Sequence, residues 1–547
     1  MAPVTYLNLV LACILSADGD SHAKTTGQQP AALMEGLGTH HHPVATANRE
    51  AQRFFDQGLI LLYAFNHDEA ARSFRRAAEL DPKLAMAWWG VALALGPNYN
   101  LPQVDAEQAK AAYDALQKAH QLADGTPEHE RAYIKALAAR YSADPKVDGG
   151  KLLRDYAEAM RKLAERYPDD LDAATLYAES ALNLRPWKLW SADGKPAEGT
   201  EEIVRVLEAV LRRSPDHPGA NHYYIHTVEA SPHPEWALAS AGRLATLVPA
   251  AGHLVHMPAH IYMRVGDYEA AARANEKAIE VDRAYLKRSG AKGVYPLMYF
   301  SHNIHFLAVA RAAQGRFADA KKAADELVAH VRPHVKDMPM LEGFLPTPTL
   351  VLVRFRRWEA VLASPRPNAK LTTTTAVWHF ARGMAYAAQG KLDDAEKEQK
   401  AFLAARDAVP AEAMYSDWNT ARSVLGVAEG VLAARIAVAR KDLKSAIALL
   451  KKAVKAEDAL HYGEPPDWLL PVRETLGGVL LQNGAAAEAE KVFRADLERN
   501  PRSGRSLFGL AASLKAQKKE YAARLVQLEF QQAWKRADPP SLEVGHR

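Results

Sequence analysis

Apolar residues recur at helical spacing over most of this 547-residue chain. In FFDQGLILLYAFNHDEAARSFRRAAELDP, residues 54–82, they fall three and four apart on either side of a polar break near Asn66. That is the pattern of two amphipathic helices joined by a turn. AMAWWGVALALG (85–96) follows as a further apolar helix, and helical patterns then cover 105–122, 128–142, 150–166, 170–184 and 198–213. Pro186, Trp187, Trp190 and Asp193-Gly194 mark a break within that run. Alanine is abundant and strand-type runs of Val, Ile and Thr are scarce, so the pattern predicts an all-α chain.

From residue 219 the same turn-and-helix scheme returns in GDYEAAARANEKAIEVD (266–282), QGRFADAKKAADEL (314–327), QGKLDDAEKEQKAFL (389–403), ARKDLKSAIALLKKAV (439–454) and NGAAAEAEKVFRADLERNP (483–501). In the first copy Gly58, Ala70 and Ala77 are small where two helices must approach, Phe74 is large between them, and Pro82 closes the unit. These positions resemble the tetratricopeptide repeat, a helical hairpin of 34 residues that stacks into an α-α superhelical solenoid. Recognisable copies fall at 51–84, 218–251, 252–285, 301–334, 376–409 and 470–503. The expected organisation is a leader at 1–23, an irregular arm at 24–50 and repeat-like hairpins at 51–217. His-rich repeats follow at 218–335, a Pro-interrupted insert at 336–375, further repeats at 376–535 and a tail at 536–547.

Eight of the 21 histidines lie between residues 221 and 305. His222 and His256 are 34 residues apart, as are His226 and His260. With the turn glycines Gly266 and Gly315 fixing the register, His253, His256 and His260 fall at places 2, 5 and 9 of one repeat. His302 and His305 fall at 2 and 5 of the next, and His222, His226 and Glu229 at 5, 9 and 12 of the one before. The resemblance implies that these places line a concave groove. Residues three and four apart share a helix face, so neighbouring helices can offer imidazoles to one ion. The expected metal ligands are therefore His222, His226, His253, His256, His260, His302 and His305, with Glu229 as an eighth ligand or a catalytic base. Pro258 breaks the plain helix and places His253 and His256 on an entry loop. His233, in the turn Ser231-Pro232-His233-Pro234, is out of phase and reads as a turn residue.

Composition narrows the chemistry. The net charge is +4 without a basic stripe interleaved with aromatics, so no nucleic-acid partner is expected. No window is long enough to cross a membrane. The apolar run Leu7–Leu15 ahead of Ser21-His22-Ala23 reads as a secretory leader, and its loss removes Cys13, the single cysteine. Export to the periplasm or outside the cell is expected. Imidazole donors without a thiolate suit a transition metal, copper ahead of zinc. The motifs HHHP, FNHDEA, NHYYIHTVEAS, HLVHMPAHIY and SHNIH together resemble a bacterial group of exported repeat proteins with His-rich motifs, a likeness that carries no chemistry of its own. The leading function is a metal-dependent, copper-type oxidoreductase acting on a small molecule or peptide in the groove. A peptide- or protein-binding adaptor and a metal-holding protein are the alternatives.

Overall fold

A computed structural model describes residues 31–144, 146–416 and 418–538. The expected leader and the end of the tail lie outside the described residues. Among those residues the fold is an all-α solenoid of helical hairpins, with three isolated β-bridges and no longer strand. The chain divides into two compact units. An N-terminal unit holds 31–261 and 277–290, and a C-terminal unit holds 262–276 and 291–538.

The first hairpin of the N-terminal unit pairs Arg49–Tyr63 with His67–Leu80. Asn48 caps its start by accepting hydrogen bonds from the Glu50 and Ala51 N–H groups, which satisfies donors the first turn leaves unpaired. Its turn is made by Phe65 in a left-handed conformation, φ 53°. Phe74, fully buried, lies between this hairpin and the next helix, Ala85–Leu95. A Cβ on Gly58 would come within 2.7 Å of the Phe74 ring, and one on Gly90 within 2.4 Å. The small residues are therefore what admits the ring. Ala106–Leu122, Glu128–Ala138, Gly149–Arg166, Leu171–Leu182 and Thr200–Arg213 continue the stack.

Pro218–Val228 opens the His-rich segment, and Leu238–Leu247 packs behind it. Gly252–His256 and Pro258–Arg264 come next as two short helices. His253 and His256 thus stand on a one-turn helix rather than the expected entry loop, and Pro258 begins the following helix at the position where its missing N–H costs nothing.

The C-terminal unit repeats the glycine-and-ring device, with Phe493 between Gly477 and Gly509, each within 2.4 Å of the ring if given a Cβ. Its hairpins include Thr372–Ala388 with Leu392–Ala408 and Ala421–Ala439 with Leu443–Asp458. The expected insert at 336–375 has secondary structure of its own. It contains a 3-10 turn, Pro339–Phe344, and the short helices Thr347–Arg354 and Trp358–Ala363.

Candidate metal centre

Five of the expected ligands come together in the N-terminal unit: His222 and His226 on Pro218–Val228, His253 and His256 on Gly252–His256, and His260 on Pro258–Arg264. They do not line an open groove. All five are buried, none more than 3% exposed. The cover is aromatic and comes from other segments. Phe65 stacks on His226 and His253 at centroid distances of 5.7 and 5.5 Å and meets His222 edge-on at 4.6 Å. Tyr99 and Trp187 contact the other side of His226 at 5.0 and 5.5 Å.

Hydrogen bonds fix how these rings point. His222 donates from Nδ1 to the Tyr63 carbonyl at 2.6 Å, and its Nε2 is 3.2 Å from Nε2 of His253. Glu229 accepts from Nδ1 of His226 at 2.8 Å on one oxygen and from Nδ1 of His260 at 2.5 Å on the other. Nε2 of His260 is 3.0 Å from Nε2 of His256, and Nε2 of His226 is buried without a hydrogen-bond partner. In His222 and His226 the proton is therefore held on Nδ1 and the lone pair lies on Nε2. That is the tautomer imposed on metal-bound imidazoles by carboxylate and carbonyl partners. One nitrogen each from His222, His226 and His253 lies within 4.8 Å of the other two.

The electrostatics agree with this arrangement. Burial lowers the pKa of His222, reinforced by the neighbouring His226, and burial lowers that of His226 despite its bond to Glu229. Both rings are neutral at pH 7, as ligation requires. Burial pushes the Glu229 carboxyl up, but the charge of His260 and the hydrogen bonds from His226 and His260 outweigh it and hold it well below the usual range. Glu229, expected as a ligand or catalytic base, has both oxygens engaged by imidazole N–H groups. Its place is that of an orienting carboxylate.

His302 and His305 lie on Phe300–Ala313 of the C-terminal unit. His302 meets Phe306 edge-on at 5.2 Å, and His305 meets Phe344 at 5.5 Å. Burial lowers His305 to about 4. His233 is exposed and stacks on Trp236 at 4.7 Å. Of the tyrosines near the motifs, Tyr223 contacts the His222 ring at 5.3 Å, whereas Tyr224 donates to Glu208 instead.

A second histidine group was not legible as a unit in the sequence. His40 and His42, from the N-terminal arm, reach Asp172 on Leu171–Leu182. His40 Nε2 lies 2.9 Å from one carboxylate oxygen and His42 Nδ1 2.9 Å from the other. His217 Nε2 lies 3.2 Å from Asp172, and the Tyr63 hydroxyl donates to it at 2.5 Å. Burial raises Asp172, but the hydrogen bonds from His217, His40 and His42 dominate and hold it well below the usual range. The tautomer logic here runs the other way. His217 Nδ1 accepts the Ala220 N–H at 3.2 Å as a helix cap, so its proton is on Nε2 and points at Asp172. This group is a hydrogen-bonded hub that fastens the arm. Tyr63 joins it to the five-histidine cluster, with its carbonyl on His222 and its hydroxyl on Asp172.

Residues 255–285 match the family model described as tetratricopeptide repeat. The chain thus carries a tetratricopeptide repeat. Its matched repeat carries His256 and His260. Among solved structures, the human IFIT1 dimer with m7Gppp-AAAA is 16% identical, with 90% of this chain and 91% of that chain covered and a TM-score of 0.34. The APC/C hetero-tetramer Cut9-Hcn1 is 13% identical, with 90% and 78% covered and a TM-score of 0.32. Yeast Tom70 is 12% identical, with 88% and 90% covered and a TM-score of 0.29. No curated protein sequence matches the repeat protein. Among the described residues no helix is long and apolar enough to cross a membrane.

Proposed function

We propose that this tetratricopeptide-repeat protein is an exported metal-binding protein. Its N-terminal unit holds a transition-metal ion, copper ahead of zinc, through Nε2 of His222, His226 and His253. His256 and His260 extend the donor set. The observation that supports this most is the shared tautomer: the Tyr63 carbonyl and Glu229 hold the Nδ1 protons of His222 and His226 and leave their Nε2 lone pairs beside His253. The orphaned Nε2 of His226 is a donor that nothing in the protein uses, and a buried polar nitrogen without a partner is costly.

Copper held by imidazoles supplies one-electron chemistry. The chain's own residues hold the ligand rings, exclude water with Phe65, Tyr99 and Trp187, and keep His222 and His226 neutral. This closed setting supports metal holding or electron transfer ahead of turnover of a bulky substrate.

Metal analysis of untagged protein after exposure to copper and zinc tests the reading, with about one equivalent of copper expected. His226→Ala should lose that metal, and His233→Ala should keep it. Glu229→Gln should weaken affinity about 10–100-fold, the usual effect of removing an orienting carboxylate. Metal below about one-tenth of an equivalent in the unaltered protein sinks the proposal.

A further inference from the structure

The C-terminal unit gathers four arginines around Glu474. Arg354 ends the helix Thr347–Arg354, and Arg356 stands in the turn that follows, at φ 54°. Arg435 lies on Ala421–Ala439, Glu474 on Val472–Gln482 and Arg505 on Gly504–Ala516. Counting the left-handed turn residues Lys441, Gly484 and Lys518 as the fifteenth place of their hairpins puts Arg435 at place 9, Glu474 at place 5 and Arg505 at place 2. Places 2, 5 and 9 share one helix face, so successive hairpins present the three residues on the same side. The 354–357 turn packs against that side. Arg354 donates to Glu474 at 3.3 Å and to the Leu469 carbonyl at 3.3 Å. Arg505 donates to the Arg354 carbonyl at 2.7 Å, and its guanidinium lies 5.7 Å from the Phe355 ring.

Glu474 pairs with Arg354, and the other three cations have no such match. Among the described residues the side chains of Arg356 and Arg435 make no hydrogen bond and no ion pair, and Arg505 meets a carbonyl and a ring but no carboxylate. Nε of Arg435 and Nε of Arg505 are buried without a partner, while Arg356 is exposed and opens the group to solvent. Arg357 stands apart, over the Phe317 ring at 4.5 Å. Burial and the charge of Arg356 lower Arg435 to about 10, and burial with the charges of Arg354 and Arg356 lowers Arg505 to about 9. Both guanidiniums remain protonated at neutral pH. The fold therefore holds three like charges together, two of them partly withdrawn from water, and that is unfavourable until an anion joins them.

We infer that Arg356, Arg435 and Arg505 form a binding site for a phosphate dianion, either free phosphate or the end of a monoester. Guanidinium forks match phosphate oxygens in pairs. A dianion offsets two of the three charges, whereas a monocarboxylate offsets one. Arg354 stays on Glu474, and its carbonyl keeps Arg505 in place.

Isothermal titration of the full chain at pH 8 and low salt tests this, using inorganic phosphate, phenyl phosphate and acetate as probes. Both phosphates should bind, and acetate should bind about tenfold more weakly or worse. The tighter of the two phosphates names the source, free or esterified, and either order supports the site. Arg356→Gln and Arg435→Gln should each weaken phosphate about tenfold or more. Lys452→Gln, which removes an exposed cation elsewhere on the unit, should leave the affinity unchanged. Arg356→Glu places a carboxylate beside the remaining guanidiniums. It should abolish phosphate binding and the rise in melting temperature that phosphate gives the unaltered protein, and it should melt no lower than the unaltered protein does without phosphate. No heat and no melting shift from phosphate at millimolar concentration overturns the inference. So does acetate binding as tightly as phosphate, binding that survives both glutamine substitutions, or an equal loss in Lys452→Gln. Copper content is measured on different residues in the other unit, so failure here and failure of the metal proposal are separate results.

Discussion

His67 shows what burial does to one imidazole. Both of its ring nitrogens are buried without a hydrogen bond, and burial with the charge of Arg140 lowers its pKa from 6.5 to about 4. The folded chain therefore refuses a proton that the unfolded chain accepts. The stability this neutral ring allows is complete above pH 6.5 and is lost as pH falls toward 4. His67→Leu cannot take up that proton. Its unfolding free energy, from denaturant titrations, should fall on the order of 3 kcal/mol less than that of the unaltered protein across that window. An equal loss in both proteins would mean that other groups set the acid limit. At this scale the sequence was readable where spacing carried the information. The 34-residue interval found His222, His226, His256 and His260, and the i+3 step added His253. Phe65, Tyr99, Trp187, Tyr63 and Asp172 share no interval with them. They arrive through tertiary packing, and only the triplet His40–His42 hinted that the arm reached anything. Phe65 is itself strained: a non-glycine residue at φ 53° holds a conformation that costs about 1–2 kcal/mol, and its ring covers three of the candidate ligands.

Between helices, the rule is a ring held by two glycines. Phe74 lies between Gly58 and Gly90, and Phe493 between Gly477 and Gly509, with 16 residues on each side in both cases. Adding a methyl group at Gly58, Gly90, Gly477 or Gly509 forces the ring or the helix aside. Each change to alanine should cost about 1–3 kcal/mol of stability. Gly478, the neighbour of Gly477 in the same helix, faces open space. Gly478→Ala should instead stabilise by about 0.5–1 kcal/mol. Thermal melts of the Gly477 and Gly478 variants that shift in the same direction would contradict this packing account. The small-large-small pattern is why the first hairpin and the later repeats could be read from sequence. The helices between 105 and 213 were found by their apolar period, but they lack that signature and could not be set in register. In the insert at 336–375, Pro339, Pro346 and Pro348 stand at helix starts, where proline is tolerated, and the short helices behind them escape a search for long periodic runs.

For the whole molecule, the proposed export would fix the state in which these sites work. Cleavage after Ala23, as proposed, would leave a mature chain that begins at Lys24 and has no cysteine. Intact mass of protein recovered from the periplasm or medium should show that start, and a retained leader with all protein in the cytoplasm would refute export. Such cleavage keeps His40 and His42, and their retention has a thermodynamic meaning because of Tyr63. One residue touches both histidine groups, its carbonyl on His222 and its hydroxyl on Asp172. Whatever steadies Tyr63 from the arm side steadies His222, and coupling of this kind is reciprocal. Metal bound at His222 should slow proteolysis between His40 and Ala45, and clipping there should weaken metal binding. The arm would then act as a gauge of occupancy, so that an emptied protein exposes its own N-terminus to degradation while a loaded one keeps it.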